Sequence, residues 1–178
     1  MNDEDGLLVS QCLAGDSAAF RPLVEKYQRV LFSVAIRMLG DREDATDAAQ
    51  EAFLKAYENL ATYDRRHKFF SWLYRILVNE CLNERRARHQ TVPIDENVAA
   101  SGDPFQELEV AERRARVQAA VVTLPPEQRA VIVLRHFADL SYAEIAEVLD
   151  VPEKTVKSRL YAARQQLGQR LLGWDAQS

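Results

Sequence analysis

Residues 124–167 read LPPEQRAVIVLRHFADLSYAEIAEVLDVPEKTVKSRLYAARQQL, and the punctuation of this stretch decides the fold of the C-terminal part. Ser141 and Glu144 stand at the S-x-x-E spacing in which each side chain caps the other's backbone N–H, so a helix opens at Tyr142. Ile145, Ala146, Val148 and Leu149 supply its apolar face, while Glu144 and Glu147 point to solvent. Asp150, Val151 and Pro152 then interrupt the run. Proline is tolerated in the first turn of a helix, where its missing N–H has no intrahelical partner, so Pro152 marks a start. The second helix runs to about Leu171, with Val156, Leu160, Ala163 and Leu167 on one side. Lys154, Lys157, Ser158, Tyr161, Arg164 and Gln165 are left for the outer faces. A capped helix, a short break and a basic helix form the layout of a helix-turn-helix DNA reader. Outward lysines alone are more often a solvated face. The order of the three parts is what favours DNA, because the outward donors suit phosphates and guanine edges.

Upstream, charge is segregated. Residues 1–92 hold 13 Lys and Arg against 14 Asp and Glu, residues 93–110 none against 5, and residues 111–178 10 against 8, within a net charge of -4. The middle stretch, PIDENVAASGDPFQELEV, carries two prolines, small residues and no helical period. It reads as an acidic linker between two helical domains, 1–92 and 111–178. Such a strand is commonly just solvated, or it occupies a basic channel in a partner.

The first domain also reads as helical. Gly15 and Asp16 precede one helix, Gly40 and Asp41 another, and no strand-like alternation occurs. From Asp44, DATDAAQEAFLKAYENL puts Ala45, Ala49, Ala52, Phe53, Ala56 and Leu60 on a core stripe. Asp47, Gln50, Glu51, Leu54 and Glu58 face out. A single exposed leucine is ordinary; one flanked by acids and a glutamine at helical spacing is also how a small docking patch is built. In DRRHKFFSWLYRILVNECLNERRAR, Phe69, Phe70, Leu73, Ile76, Leu77 and Cys81 pack inward. Trp72, Arg75, Asn79, Asn83 and Arg86 recur every three or four residues on the other side. Aromatic, cationic and amide groups in one strip suit unstacked bases and the backbone of single-stranded DNA. An amphipathic helix with a half-buried Trp72 fits the same pattern.

Composition limits the remaining classes. A chain of 178 residues, 47% hydrophobic and 28% charged, suits two modest domains, and no apolar run approaches the about 20 residues of a membrane span. The acidic start MNDEDGLL is unlike a basic signal-peptide n-region, which points to the cytoplasm without direct membrane insertion. Cys12 and Cys81 sit among apolar residues far apart in sequence and read as small core residues. His67, His89 and His136 lack the spacing of a zinc site, so no metal or other cofactor is expected. No glycine-rich phosphate loop or nucleophile–base pair is present, which argues against an enzyme and a small-molecule substrate. A stand-alone helix-turn-helix regulator would explain the C-terminal domain equally well, but not the Asp47, Gln50, Leu54 group or the Trp72 strip.

Three segments, in this order, resemble the extracytoplasmic-function (ECF) sigma factors of the sigma-70 family. DAAQEAFLKAY is similar to the family pattern D-x-x-Q-E-x-F-L-x-x-W/Y of region 2.2, FFSWLYRILVNECLNERRAR to regions 2.3 and 2.4, and LPPEQRAVIVLRHFADLSYAEIAEVLDVPEKTVKSRL to region 4. The resemblance implies an all-α, non-enzymatic promoter-specificity subunit that binds core RNA polymerase and promoter DNA. By matching position it implies polymerase docking through Asp47, Gln50, Glu51, Leu54 and Glu58, with Phe53 supporting from the core side. It implies capture of the opened minus-10 strand by Tyr63, Arg65, Arg66, Lys68, Trp72, Arg75, Asn79 and Arg86, with a flipped base in a pocket. Lys154, Lys157, Ser158, Arg159, Tyr161 and Arg164 would meet the minus-35 duplex in the major groove. It also implies an anti-sigma partner and a linker threaded toward the polymerase's active-site cleft and RNA exit channel. Three positions depart from the pattern: Ala162 where a basic residue is common, Thr46 where an acid is common, and Asp150 where glycine is usual at the turn.

Overall fold

A computed structural model describes residues 3–88 and 106–175, with side chains described for 4–86 and 112–171. All regular structure among these residues is helical, apart from turns. The first half contains α1 (Asp3–Leu13), α2 (Arg21–Leu39), α3 (Arg42–Glu58) and α4 (Phe69–Arg88). The second contains α5 (Gln106–Val122), α6 (Pro126–His136), α7 (Tyr142–Leu149) and α8 (Glu153–Asp175). Short 3-10 turns at Ser17–Phe20 and Leu60–Thr62 join the earlier elements.

The helix starts follow local chemistry. Asp16 and Asp41 accept from the backbone N–H of Ala18 and Asp44, capping the first 3-10 turn and α3. Gly40 ends α2 at φ 84°, the left-handed conformation that terminates a helix without a Cβ penalty. A Cβ there would also stand 3.1 Å from Val122 Cγ2 of α5. Asp150 adopts the same left-handed conformation at the end of α7, φ 53°, which explains how aspartate serves at the turn in place of glycine. Pro152 stands just ahead of α8, and its carbonyl accepts from Thr155 and Val156.

The boundary of α5 differs from the sequence expectation. Residues 106–110, assigned to the linker above, are the first five residues of α5. From Gln106 the run QELEVAERRAR is made almost entirely of strong helix formers. The rest of the linker, 93–105, lies outside the described residues.

α2, α3 and α4 pack against one another, and α6, α7 and α8 form the second group. Leu23, Leu31, Leu73 and Leu77 on one side and Leu134, Ile145, Val156 and Leu160 on the other belong to one continuous buried cluster. The alanines of α3, Ala45, Ala48, Ala49, Ala52 and Ala56, are buried, and small side chains let this helix approach its neighbours closely. Tyr74 and Val78 of α4 are buried beside the expected Leu73, Leu77 and Cys81. Phe70 and Ile76 are only partly so.

The seam between the halves lies at the C-terminal end of α2. The last carbonyls of a helix lack intrahelical donors; here the second half supplies one to Met38 and adds a second bond to Ile36, which already accepts from the Gly40 N–H. Gln118 Nε2 donates to the Ile36 carbonyl at 2.9 Å, and the buried Arg129 guanidinium donates to the carbonyls of Met38 and Leu124. The Arg37 guanidinium stacks 3.9 Å from the Phe137 ring centroid, a cation–π contact across the same seam.

Among the described residues no helix is long and apolar enough to cross a membrane. Nor do they contain a group of three or more His, Cys, Asp or Glu that could hold a metal. Cys12 is half-buried and Cys81 buried, both free. Burial, then the neighbouring Glu80, pushes the Cys81 thiol up to about 12, so it stays protonated and unreactive.

Candidate nucleic-acid and polymerase interface

The residues singled out in the sequence fall on three separate surfaces. On α3, Asp47, Gln50, Glu51, Leu54 and Glu58 are all exposed, and Leu54 is 58% exposed although the helix has a buried face available. Tyr57 joins it at 45%. Beside them a cleft between α3 and α4 is lined by Asp44, Asp47, Ala48, Glu51, Glu80 and Glu84. An apolar pair flanked by carboxylates therefore faces solvent. Lys55 fixes this helix to α4, pairing with Glu80 at 2.7 Å and with Glu51 at 3.4 Å. Thr46 Oγ1 returns to the Arg42 carbonyl, so it adds no charge to this face.

The second surface surrounds the loop before α4. Tyr63, Phe69 and Trp72 form an aromatic cluster, with ring centroids 5.4 to 5.8 Å apart, and Tyr27 packs on Phe69 behind it. The Tyr63 hydroxyl donates to the His67 carbonyl at 2.6 Å, closing the loop. Trp72 is half-buried and packed against the core. One side of the indole also lines a cleft with Lys55, Asn59, Thr62, Ile76, Asn79 and Glu80. Arg65, Asn79 and Arg86 are exposed. Arg66 is clamped onto Asp64, and its side-chain hydrogen bonds hold the Asp64 carboxyl down at about 2.

The third surface is α8. Lys154, Lys157, Ser158, Tyr161 and Arg164 are exposed, Tyr161 at 67%. Val156, Leu160 and Ala163 are buried beneath them. Ser141 and Glu144 form the expected reciprocal capping box that fixes the start of α7. Arg159 departs from the set: its guanidinium turns back to Glu127 on α6 at 2.8 Å and is largely covered. Helical spacing puts Arg159 next to the reading face, but the acid that captures it lies 32 residues away.

Two acids expected to face solvent do not. Glu144 Oε1 accepts from Lys68 Nζ at 2.6 Å, and Glu147 Oε1 lies 2.8 Å from His67 Nδ1. Arg75 donates to the Glu147 carbonyl. Periodicity shows which residues leave their own domain's core, not what covers them from outside. The Lys68 contact is the first cause that holds the Glu144 carboxyl below its ordinary 4.5.

Known proteins share this arrangement. Residues 23–91 match the family Sigma-70 region 2, and residues 114–167 match Sigma-70, region 4. The chain is 35% identical to the RNA polymerase sigma-H factor of Pseudomonas aeruginosa, over 95% of this chain and 94% of that protein. It is 40% identical to the ECF RNA polymerase sigma factor SigM of Mycobacterium tuberculosis, over 96% of this chain and 85% of that one. Among solved structures, CnrH in complex with the cytosolic domain of CnrY superposes with a TM-score of 0.75 at 28% identity, covering 98% of this chain and 99% of that one. The sigma factor RpoE of Bartonella quintana, in complex with the anti-sigma factor NepR, gives 0.71 at 25% identity over 85% and 96%. Two sigma-70 regions in the order of their motifs, with relatives matched along nearly their full length, make the assignment: the chain belongs to the ECF group of the sigma-70 family and is a non-enzymatic RNA polymerase sigma factor that directs transcription initiation.

Proposed function

We propose that residues 1–92 dock on core RNA polymerase and hold the minus-10 strand, that 93–105 link the halves, and that the part from α5 onward, 106–178, reads the minus-35 duplex. The observation that carries the docking reading is Leu54, exposed on a rung of carboxylates that contribute nothing to the fold's core. A partner with a basic, partly apolar helical surface complements it. The Trp72 indole with Asn79, Arg75 and Arg86 along one helix supports a strand-binding role, since stacking and phosphate neutralisation are what unstacked DNA requires. Tyr63, Arg65, Arg66 and Lys68 extend that surface into the loop. The exposed donors of α8 support major-groove contact through Lys154, Lys157, Ser158, Tyr161 and Arg164. Arg159 is assigned to the same face once Glu127 releases it. An anti-sigma protein is proposed as the inhibitory partner, because CnrH and RpoE, which share this fold, were solved in complex with the cytosolic domain of CnrY and with an anti-sigma factor. The chain works in the cytoplasm, where polymerase and promoter are found.

Binding of the labelled chain to purified core polymerase tests the docking surface. Leu54→Glu abolishes that binding while the melting curve stays unchanged; unaltered affinity would refute the assignment.

A further inference from the structure

Asp5 lies in the first turn of α1, is buried to 3% exposure, and has both carboxylate oxygens engaged by α2. Lys26 Nζ donates to Oδ1 at 2.5 Å, and the Tyr27 hydroxyl donates to Oδ2 at 2.6 Å. If α1 needed only to be held down, an apolar side chain would serve as well, because desolvating a carboxylate offsets much of what its partners return. What the carboxylate adds is direction, since a hydrogen bond fixes an angle that apolar contact leaves open. Lys26 neutralises the charge, which leaves the Tyr27 hydroxyl to supply the geometry.

That geometry is passed on. The Tyr27 ring lies on Phe69, with centroids 5.9 Å apart, and Phe69 packs in turn against Tyr63 and Trp72. Aromatic neighbours at these separations hold tilted or edge-on orientations, so rotation of one ring obliges the next to readjust in a close-packed interior. α1 also touches the Leu60–Thr62 turn that leads into Tyr63. Burial first, then the Asp5 hydrogen bond, pushes the Tyr27 pKa up. The Tyr63 hydroxyl is shifted the same way, by burial and then by the Asp5 charge. One buried carboxylate thus reaches every level of the ring cluster.

We propose that Asp5 is a positioning residue for strand recognition: its bond to Tyr27 sets the plane of that ring and, through Phe69, the placement of Tyr63 and Trp72. This inference rests on the strand-binding reading of the Tyr63 and Trp72 surface. It makes α1 part of the strand-capturing apparatus, although Asp5 itself, being buried, does not touch DNA.

The test uses the full chain carrying Trp174→Phe, so that Trp72 is the one remaining tryptophan. Asp5→Asn keeps the side-chain shape and removes the charge; Tyr27→Phe keeps the ring and removes the hydroxyl. The control is Val9→Ala, which loses packing from a fully buried position on the same helix but leaves the bond intact. Two quantities are measured: acrylamide quenching of Trp72 fluorescence, and permanganate reactivity of promoter thymines with the reconstituted holoenzyme, on a promoter that the wild type opens. Asp5→Asn and Tyr27→Phe are each expected to make Trp72 more readily quenched and to reduce strand opening about fivefold, the scale of one hydrogen bond. Val9→Ala is expected to lower the unfolding midpoint and leave both readouts unchanged. Equal effects from Val9→Ala would show that α1 acts through stability alone and overturn the positioning role. Unchanged quenching in both Asp5→Asn and Tyr27→Phe overturns it as well. Altered quenching with normal opening overturns the link to recognition. In that event Trp72→Ala separates the two claims: impaired opening by Trp72→Ala leaves the strand-binding reading standing, and normal opening removes that reading too.

Discussion

Arg129 of α6 and Met38 of α2, 91 residues apart, are joined by a buried hydrogen bond from guanidinium to main-chain carbonyl. The bond satisfies a helix-end carbonyl that α2 cannot satisfy itself, and burial, with the nearby Arg85 charge, pulls the pKa of Arg129 below the usual arginine range. The two halves are therefore coupled through polar contacts that only the folded arrangement makes. Arg129→Ala strands the Met38 and Leu124 carbonyls and leaves a cavity at the seam. A loss of about 2 kcal/mol is expected, read from urea unfolding, and an unchanged midpoint would show that the seam carries no stability.

The reading face of α8 is uneven in consequence. Arg164→Ala or Lys157→Ala should weaken promoter use by roughly 1 to 3 kcal/mol, because both side chains are exposed, Lys157 held by a loose 3.6 Å pair with Glu153 on its own helix. Arg159→Ala should cost less, since its guanidinium must first leave Glu127 at 2.8 Å. Transcription from a cognate promoter ranks the three; equal losses would mean that the Arg159 pair breaks on binding at no cost.

Acid should loosen α7. Glu144 has its pKa lowered by Lys68, with help from the Ser141 contacts. A carboxyl depressed in the folded state contributes stability that is full above its unfolded value and lost as pH falls through the folded one. The contribution of Glu144 thus fades only as the medium drops below its ordinary 4.5. Wild type and Glu144→Gln should differ in unfolding midpoint at neutral pH and converge in acid. A gap that stays constant with pH would remove the Lys68 pair from the account.

Trp72 closes one wall of the cleft that Lys55, Asn59, Thr62 and Asn79 also line, and it packs in the aromatic cluster. Trp72→Ala should impair strand opening more than closed-complex formation. Permanganate reactivity of promoter thymines measures it, and normal melting by the variant holoenzyme would contradict the assignment.

What the sequence made legible was local. The Ser141–Glu144 box and the Asp150 turn are present as read, and the α3 stripe is present with two differences: Phe53 is only partly buried and Ala48 joins the buried face. The exposure of Leu54 followed from the same periodicity. The Lys68–Glu144 pair spans 76 residues, and nothing in the loop or in α7 signals the other. Arg129 was equally silent, because its partners are carbonyls that every residue carries. The contacts that Lys68, His67 and Arg75 make with α7 were not legible, since a period of 3.6 assigns faces but not neighbours.

The central claim is most directly tested by run-off transcription with purified core RNA polymerase and genomic DNA fragments, mapping RNA 5′ ends with and without this chain. The account predicts new start sites that share two upstream elements at fixed spacing. No new starts, with the chain binding duplex DNA tightly on its own, would contradict it.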